Sequence, residues 1–271
     1  MNIIKSKLVI RNAKPSDKKP ILDFCQRTFR WGDYIANVWD SWISKGTLLA
    51  IEAKGKPIGI CNTSFSKNQI WIEGLRINPK FRRKGYGSKL VLKAEALARQ
   101  RRCKISRMLI AQHNTRSLLL AKSIGYKIED KWWLYNLRPK KCTTKARLAT
   151  GIKQTEGLLG SDTYSESWEW LPLDKTALAR LIKKGRIIAF FQNNKTSAIG
   201  IWNKSQIDKD VLQMGFLNGT KAGMNTILHF IQNKAYLQKS KRIQILAQQR
   251  IDLRMKELNK RMLFCLMRKD L

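Results

Sequence analysis

Residues 78–88 read Asn-Pro-Lys-Phe-Arg-Arg-Lys-Gly-Tyr-Gly-Ser. They lie between an apolar run, 70-IWIEGLRI-77, and a helix-patterned run, 89-KLVLKAEALARQRR-102. A strand that feeds a tight glycine turn into a helix N-terminus makes an anion site. The turn amides converge, the helix dipole adds partial positive charge, and arginines stand beside it here. The turn lacks the Gly-Lys-Ser/Thr of a P-loop and the three spaced glycines of a dinucleotide fingerprint. Taken alone, Arg82-x-x-Gly85-x-Gly87 also describes a basic turn with no ligand, so its meaning rests on what flanks it.

Outward from this turn the chain alternates between strand and helix patterns. Residues 8–11 predict a strand, and Lys14-Pro15-Ser16-Asp17 supplies turn and cap chemistry ahead of a helix over 20–30. A second helix is expected over 33–45, stopped by Gly46. Strands 47–53 and 57–64 flank a hairpin turn at 54–56. After strand 70–77 and helix 87–102 come strand 105–111, helix 115–124 and strand 126–137. Residues 138–165 read as a polar connector, basic at first and then rich in glycine and serine.

An internal repeat follows. Segment 46-GTLLAIEAKGKPIGI-60 parallels 185-GRIIAFFQNNKTSAIGI-201, and 73-EGLRINPKFRRKGYG-87 parallels 214-MGFLNGTKAGM-224. Helix 225–238, strand 242–248, helix 249–259 and strand 261–267 complete the second copy. That copy has no arginine in its loop, and Met214 stands where the first has Glu73.

The chain has 271 residues, 43% of them hydrophobic, enough for two packed domains. It carries 54 Lys+Arg against 19 Asp+Glu, a net charge of +35. Such a surface attracts polyanions, so nucleic acid stands as a possible partner beside a general basic bias. The five cysteines are scattered without a CxxC pair, which argues for free thiols in a reducing cytoplasm and against a metal site. No run reaches membrane-spanning length, and no membrane partner is expected.

With its flanks, Arg82-x-x-Gly85-x-Gly87 resembles the acetyl-CoA pyrophosphate loop of the GNAT N-acetyltransferase superfamily. A second block, 114-NTRSLLLAKSIGY-126, resembles that family's N-x-x-A-x-x-L-Y-x-x-x-G-F/Y element. Ser117 replaces its usual alanine, and Ala121 replaces the tyrosine that often protonates the leaving thiolate. The resemblance spans 7–138. It implies an α/β fold with a mixed α+β sheet: a GNAT domain over 1–140, a linker over 141–165 and a degenerate GNAT-like domain over 166–271.

The resemblance also implies acetyl-CoA as co-substrate, with no metal. Its phosphates would meet Arg82, Arg83, Lys84, Gly85, Tyr86, Gly87 and Ser88. Its arm would meet Asn114, and strand residues Leu75 and Ile77 would place backbone N–H groups near the thioester carbonyl. Glu73 is the candidate general base, and a period of two puts Glu73, Leu75 and Ile77 on one strand face. Segment 31-WGDYIANVWDSWISKG-46 together with 73-EGLRINP-79 resembles a two-domain subgroup distantly similar to histidine N-acetyltransferases. That likeness implies Asp33 and Tyr34 at the acceptor, while Trp31, Trp39 and Trp42 read as core anchors.

The expected activity is acetyl transfer to a primary amine by direct attack, with a small molecule or amino acid as acceptor. Two alternatives stay open: a protein lysine or N-terminal acetyltransferase working near nucleic acid, and a non-catalytic binding module of the same fold.

Overall fold

The computed structural model describes residues 8–26, 28, 32–155 and 157–271. They form two compact units. The first holds residues up to Ile110, Asn114–Glu129 and Met267–Leu271; the second holds Ala111–His113 and Asp130–Leu266.

The first unit runs β1 (Leu8–Asn12), α1 (Lys18–Cys25), α2 (Ile35–Ser44), β2 (Leu48–Ala53), β3 (Lys56–Ser66) and β4 (Gln69–Ile77). It continues through α3 (Tyr86–Gln100), β5 (Ile105–Ala111), α4 (Thr115–Ser123) and the start of β6 (Lys127–Leu137). Strands β1 to β4 pair antiparallel in sequence order, and β4 pairs parallel to β5. Lys54 and Gly55 turn the β2–β3 hairpin with φ of 51° and 73°, the mirror-type turn whose twist suits a right-handed hairpin. Residues 58–63 of β3 are buried without alternation, as expected where both sheet faces are covered. One cover is α3, through Leu90, Val91, Ala94 and Ala98; another is α2, through Ile35, Val38, Trp39 and Trp42.

Strand β4 is not regular. Ile60 faces Arg76 while Asn62 faces Glu73, so β4 carries one extra residue there. That residue sits at Gly74, with φ +63°. A Cβ on Gly74 would lie 2.6 Å from Cη2 of Trp42, so the indole ring leaves room only for glycine. The bulge breaks the two-residue period. Glu73, Gly74 and Arg76 turn toward α2, whereas Leu75 and Ile77 turn toward Gly87 at the head of α3. The expectation that Glu73 shares a face with Leu75 and Ile77 is therefore corrected.

The second unit contains residues 130–137 of β6, then β7 (Arg147–Leu148), β8 (Thr163–Glu166), β9 (Glu169–Pro172) and α5 (Lys175–Lys183). Next come β10 (Ile187–Gln192), β11 (Lys195–Lys204), β12 (Val211–Gly219), α6 (Lys221–Leu237), β13 (Arg242–Gln248) and most of β14 (Asn259–Asp270). Its sheet order is β6-β13-β12-β11-β10-β7, with β12 and β13 parallel. The repeat read from the sequence extends to backbone detail. Asn193 and Asn194 turn the β10–β11 hairpin with φ of 50° and 60°, and Gly46 and Gly185 stop α2 and α5 with φ of 63° and 61°. One core packs α6 against the sheet around Ile227, Leu228 and Ile231. The other packs α5 and Tyr164 of β8 around Ile199, Ile201 and Phe216.

Several expectations differ from the fold. Helix 249–259 does not form. There Lys221 and Arg254 both pair with Asp252, and Arg250 donates to Gly160 O, so tertiary contacts hold an irregular loop against its helical pattern. The regular part of α1 ends at Cys25 and α2 begins at Ile35; Trp31 lies outside the described residues. The connector contains β7 and β8, and α5 was not foreseen, although Asp174 caps it by accepting from Ala177 N at 2.9 Å. The units also interleave, whereas the sequence reading divides the chain at 141–165.

The chain's last residues close buried ion pairs in the first unit. Leu271 N donates to Lys104 O at 2.9 Å, and Arg268 meets Glu129, which also holds the buried Arg107 at 2.7 Å. Lys269 Nζ lies 2.7 Å from Oε2 of Glu95, whose side chain has no exposed surface. Lys269→Met leaves that carboxylate only its longer contact with the half-exposed Arg99, at 3.6 Å, and should cost about 3 kcal/mol of unfolding free energy. Adding Glu95→Gln should restore most of it. Urea unfolding of both variants checks this, and an unaffected Lys269→Met variant would show that the pair contributes nothing.

Candidate active site

The β4–β5 pairing holds three residue pairs, from Gln69–Ile105 to Trp71–Arg107, and ends there although both strands run on. Beyond that point the two strands share no ladder, while β4 stays paired with β3 on its other edge. At the end of β4, Pro79–Phe81 form one 3₁₀ turn and Arg83 takes φ +61°. Gly85 takes φ +74° as the N-cap of α3. Gly85 has no side chain to cap the helix, so the N–H groups of Tyr86, Gly87 and Ser88 have no intrahelical partner. Residues 82–85 are exposed, and Arg82 Nε donates back to Ile77 O at 3.1 Å. Gly87 is buried; a Cβ there would lie 2.9 Å from Leu120 Cδ1 of α4, so glycine lets α3 start close to α4 and β4. An exposed, uncapped helix head with adjacent arginines suits a diphosphate.

Asn114 caps α4, its Oδ1 accepting from Ser117 N at 3.2 Å, and remains exposed. Ala121 is fully buried. Tyr126, the nearest tyrosine in the block, is buried and bonded to Ser106, with burial raising its phenol far above the ordinary range. It makes a poor proton donor to a thiolate.

On the α2 side, the bulge gathers a second group. Arg76 Nε donates to Asp33 Oδ2 at 2.7 Å and Nη2 donates to Asp33 Oδ1 at 3.1 Å. Burial alone would lower the Arg76 pKa; the Asp33 hydrogen bonds more than offset this and raise it. Asp33 also accepts from Ile35 N at 3.2 Å, and its side chain is only 3% exposed. Its carboxylate is thus committed to Arg76 and the head of α2. Tyr34 lies under Arg76, 5.4 Å from ring centroid to Cζ, and edge-on to Trp42. Burial, then the charge of Glu73, raise the Tyr34 phenol.

Glu73 is half-buried on this same side and accepts from Asn62 Nδ2 at 3.1 Å. Cys61, next along β3, is pushed up to about 12 by burial and by the charge of Glu73. Tyr34 and Cys61 beside it therefore stay neutral at neutral pH. Of the sequence-read residues, the structure brings Glu73, Tyr34 and Asp33 together on one side of β4, and Leu75, Ile77 and the 82–88 loop together on the other. Arg76 and Asn62 were missed. Arg76 was hidden because a straight strand turns it away from Glu73, and Asn62 because its place opposite Glu73 depends on the bulged register.

The second unit lacks both features. Thr220 caps α6, its Oγ1 accepting from Gly223 N at 3.1 Å and sharing a 2.7 Å contact with Ser197. Strand β12 keeps a one-residue bulge at Gly215, between Ile201 facing Phe216 and Trp202 facing Met214, but the backbone of Ser165 in β8 covers it. Met214 is buried in the α6-side core. Among the described residues no cluster of His, Cys, Asp or Glu could hold a metal.

Residues 19–126 match the acetyltransferase (GNAT) family. An uncharacterized N-acetyltransferase of Methanocaldococcus jannaschii is 26% identical over 152 residues, covering 49% of this chain and 67% of its own. A solved structure from Thermoplasma acidophilum matches 97% of this chain and 100% of its own, with TM-score 0.68 at 13% identity. A GCN5-related N-acetyltransferase from Sphaerobacter thermophilus matches 97% and 95%, with TM-score 0.64 at 13% identity. The segment 19–126, which carries the glycine turn and the Asn114 block, thus matches the acetyltransferase (GNAT) family, and nearly the whole chain shares the fold of these two solved structures.

Proposed function

We propose that the first unit binds acetyl-CoA and transfers its acetyl group to the primary amine of a small acceptor, such as an amino acid, without an acyl-enzyme. The observation that carries this reading is the bulge at Gly74. It sets Glu73 on one side of β4 and the residues leading to the phosphate loop on the other. A proton acceptor and an anion cradle then act on one strand from opposite sides.

Acetyl-CoA supplies an activated thioester. The amides of Tyr86, Gly87 and Ser88 would hold its diphosphate, with Arg82, Arg83 and Lys84 adding charge; their exposed, uncapped arrangement fits that group. Backbone N–H groups of β4 near Leu75 and Ile77, past the last β4–β5 pair, would orient the carbonyl. Glu73 would take the proton of the attacking amine, directly or through one water. Among the described residues no side chain here replaces the tyrosine lost at Ala121, so the leaving thiolate would be protonated by solvent. The half-buried wall of Tyr34, Trp42 and the Asp33–Arg76 pair is compact and polar, which supports a small acceptor over a folded protein.

Gly85→Val places a β-branched residue at φ +74°, which costs about 1–2 kcal/mol and distorts the cradle. Coenzyme A affinity by calorimetry should fall about tenfold or more. Unchanged affinity with unchanged melting temperature would remove the loop from cofactor binding. Glu73→Gln should slow turnover by about 10²-fold while leaving coenzyme A affinity intact, in an acetyl-CoA consumption assay over amino acids, polyamines and basic peptides. Near-normal turnover at neutral pH would pass the proton to water or another group.

A further inference from the structure

We propose that Asn62 is a positioning residue for Glu73, holding the carboxylate ionised and aimed at the acceptor amine; the proposal rests on the reading of Glu73 as proton acceptor. Asn62 lies in the buried middle of β3, 2% exposed, between the buried Cys61 and Thr63. It faces Glu73 across the ladder, and its Nδ2 donates to Oε1 at 3.1 Å. Only the amide nitrogen can donate to a carboxylate, so the chemistry fixes which way the side chain lies. Its Oδ1 is buried and accepts no hydrogen bond among the described residues.

The second unit shows the same strand without a carboxylate. Met214, in the place of Glu73, faces Trp202. Asn203 follows Ile201-Trp202 as Asn62 follows Ile60-Cys61, and with no carboxylate opposite it donates to Ser165 O and Gln213 Oε1 instead.

Among the described residues, several titratable groups near Glu73 bear on this role. Cys61 on β3 and Tyr34 ahead of α2 are neutral, and Cys25 on α1 is pushed up to about 12 by burial and by Asp33. Arg76 on β4 is bound to Asp33 on two sides. Against this background the Asn62 N–H is a neutral donor directed at Glu73. A hydrogen bond to the charged form of a carboxylate lowers its pKa, so Asn62 keeps Glu73 able to accept a proton at a lower pH.

The experiment is the pH dependence of kcat/KM for acetyl transfer in the full chain, with Asn62→Leu, Asn62→Asp and Glu73→Gln. Asn62→Leu should move the acidic limb up by about 1 pH unit, as expected for loss of a charge-assisted hydrogen bond. Asn62→Asp, which adds a like charge, should move it further. Coenzyme A affinity should stay unchanged in both. Asn62→Leu combined with Glu73→Gln should be no slower than Glu73→Gln alone. An unmoved limb in both Asn62 variants, with Glu73→Gln crippled, overturns this proposal and spares the base assignment. Near-normal turnover in Glu73→Gln overturns the base assignment itself. If Asn62→Leu does not fold, Asn62→Asp decides by the same limb.

Discussion

The site depends on one packing constraint, the indole of Trp42 lying over Gly74. The ring occupies the space a Cβ would need, so β4 must pass under it as glycine with positive φ. A strand residue in that conformation inserts one position into the ladder and reverses the facing of everything beyond it. Without the bulge, Glu73 would share a side with Leu75 and Ile77, and Arg76 would turn away from Asp33. With it, the carboxylate and the Asp33–Arg76 pair meet on the α2 side, and the strand's last apolar residues reach Gly87. One glycine thus separates the Glu73 carboxylate from the side that leads to the 82–88 turn within five residues of chain.

The same constraint explains what could be read from the sequence. The strand–turn–helix around Gly85 and Gly87 was legible because its signal is local: apolar run, glycines, helical period. The repeat was legible because Ile-Gly-Ile and the hairpin turns recur at matching places. The facing of Glu73 was not, since period-two reasoning assumes a regular strand and the bulge is imposed by Trp42, 32 positions away. Asp33 was read as open to an acceptor; its partner, Arg76, comes within reach only through the bulge. The loop at 249–258 misled because its helical pattern is real, while Asp252 and Arg250 are drawn into tertiary bonds that a helix would break. Trp31 lies outside the described residues.

The two copies of the repeat show how a site is lost without losing a fold. The second unit keeps the hairpin turns, the parallel strand pair and the long helix. Its helix head is satisfied by Thr220, its bulge is covered by Ser165, and its carboxylate is replaced by Met214, while the strand amide, Asn203, turns to Ser165 O and Gln213. Each change turns a group that needs a ligand or water into one satisfied by the chain itself. Such replacements favour packing, because an unpartnered polar group in a core is costly.

The chain end adds a constraint of a different kind. Residues 267–271 belong to the first unit, where Lys269 and Arg268 meet the carboxylates of Glu95 and Glu129. Glu129 also holds Arg107, the residue at which the β4–β5 ladder stops. The strand pair that opens toward the phosphate loop is therefore anchored through charges supplied at the far end of the sequence. A cut in the connector would remove those charges from the first unit, whose ion pairs at Glu95 and Glu129 take their cations from residues 268 and 269.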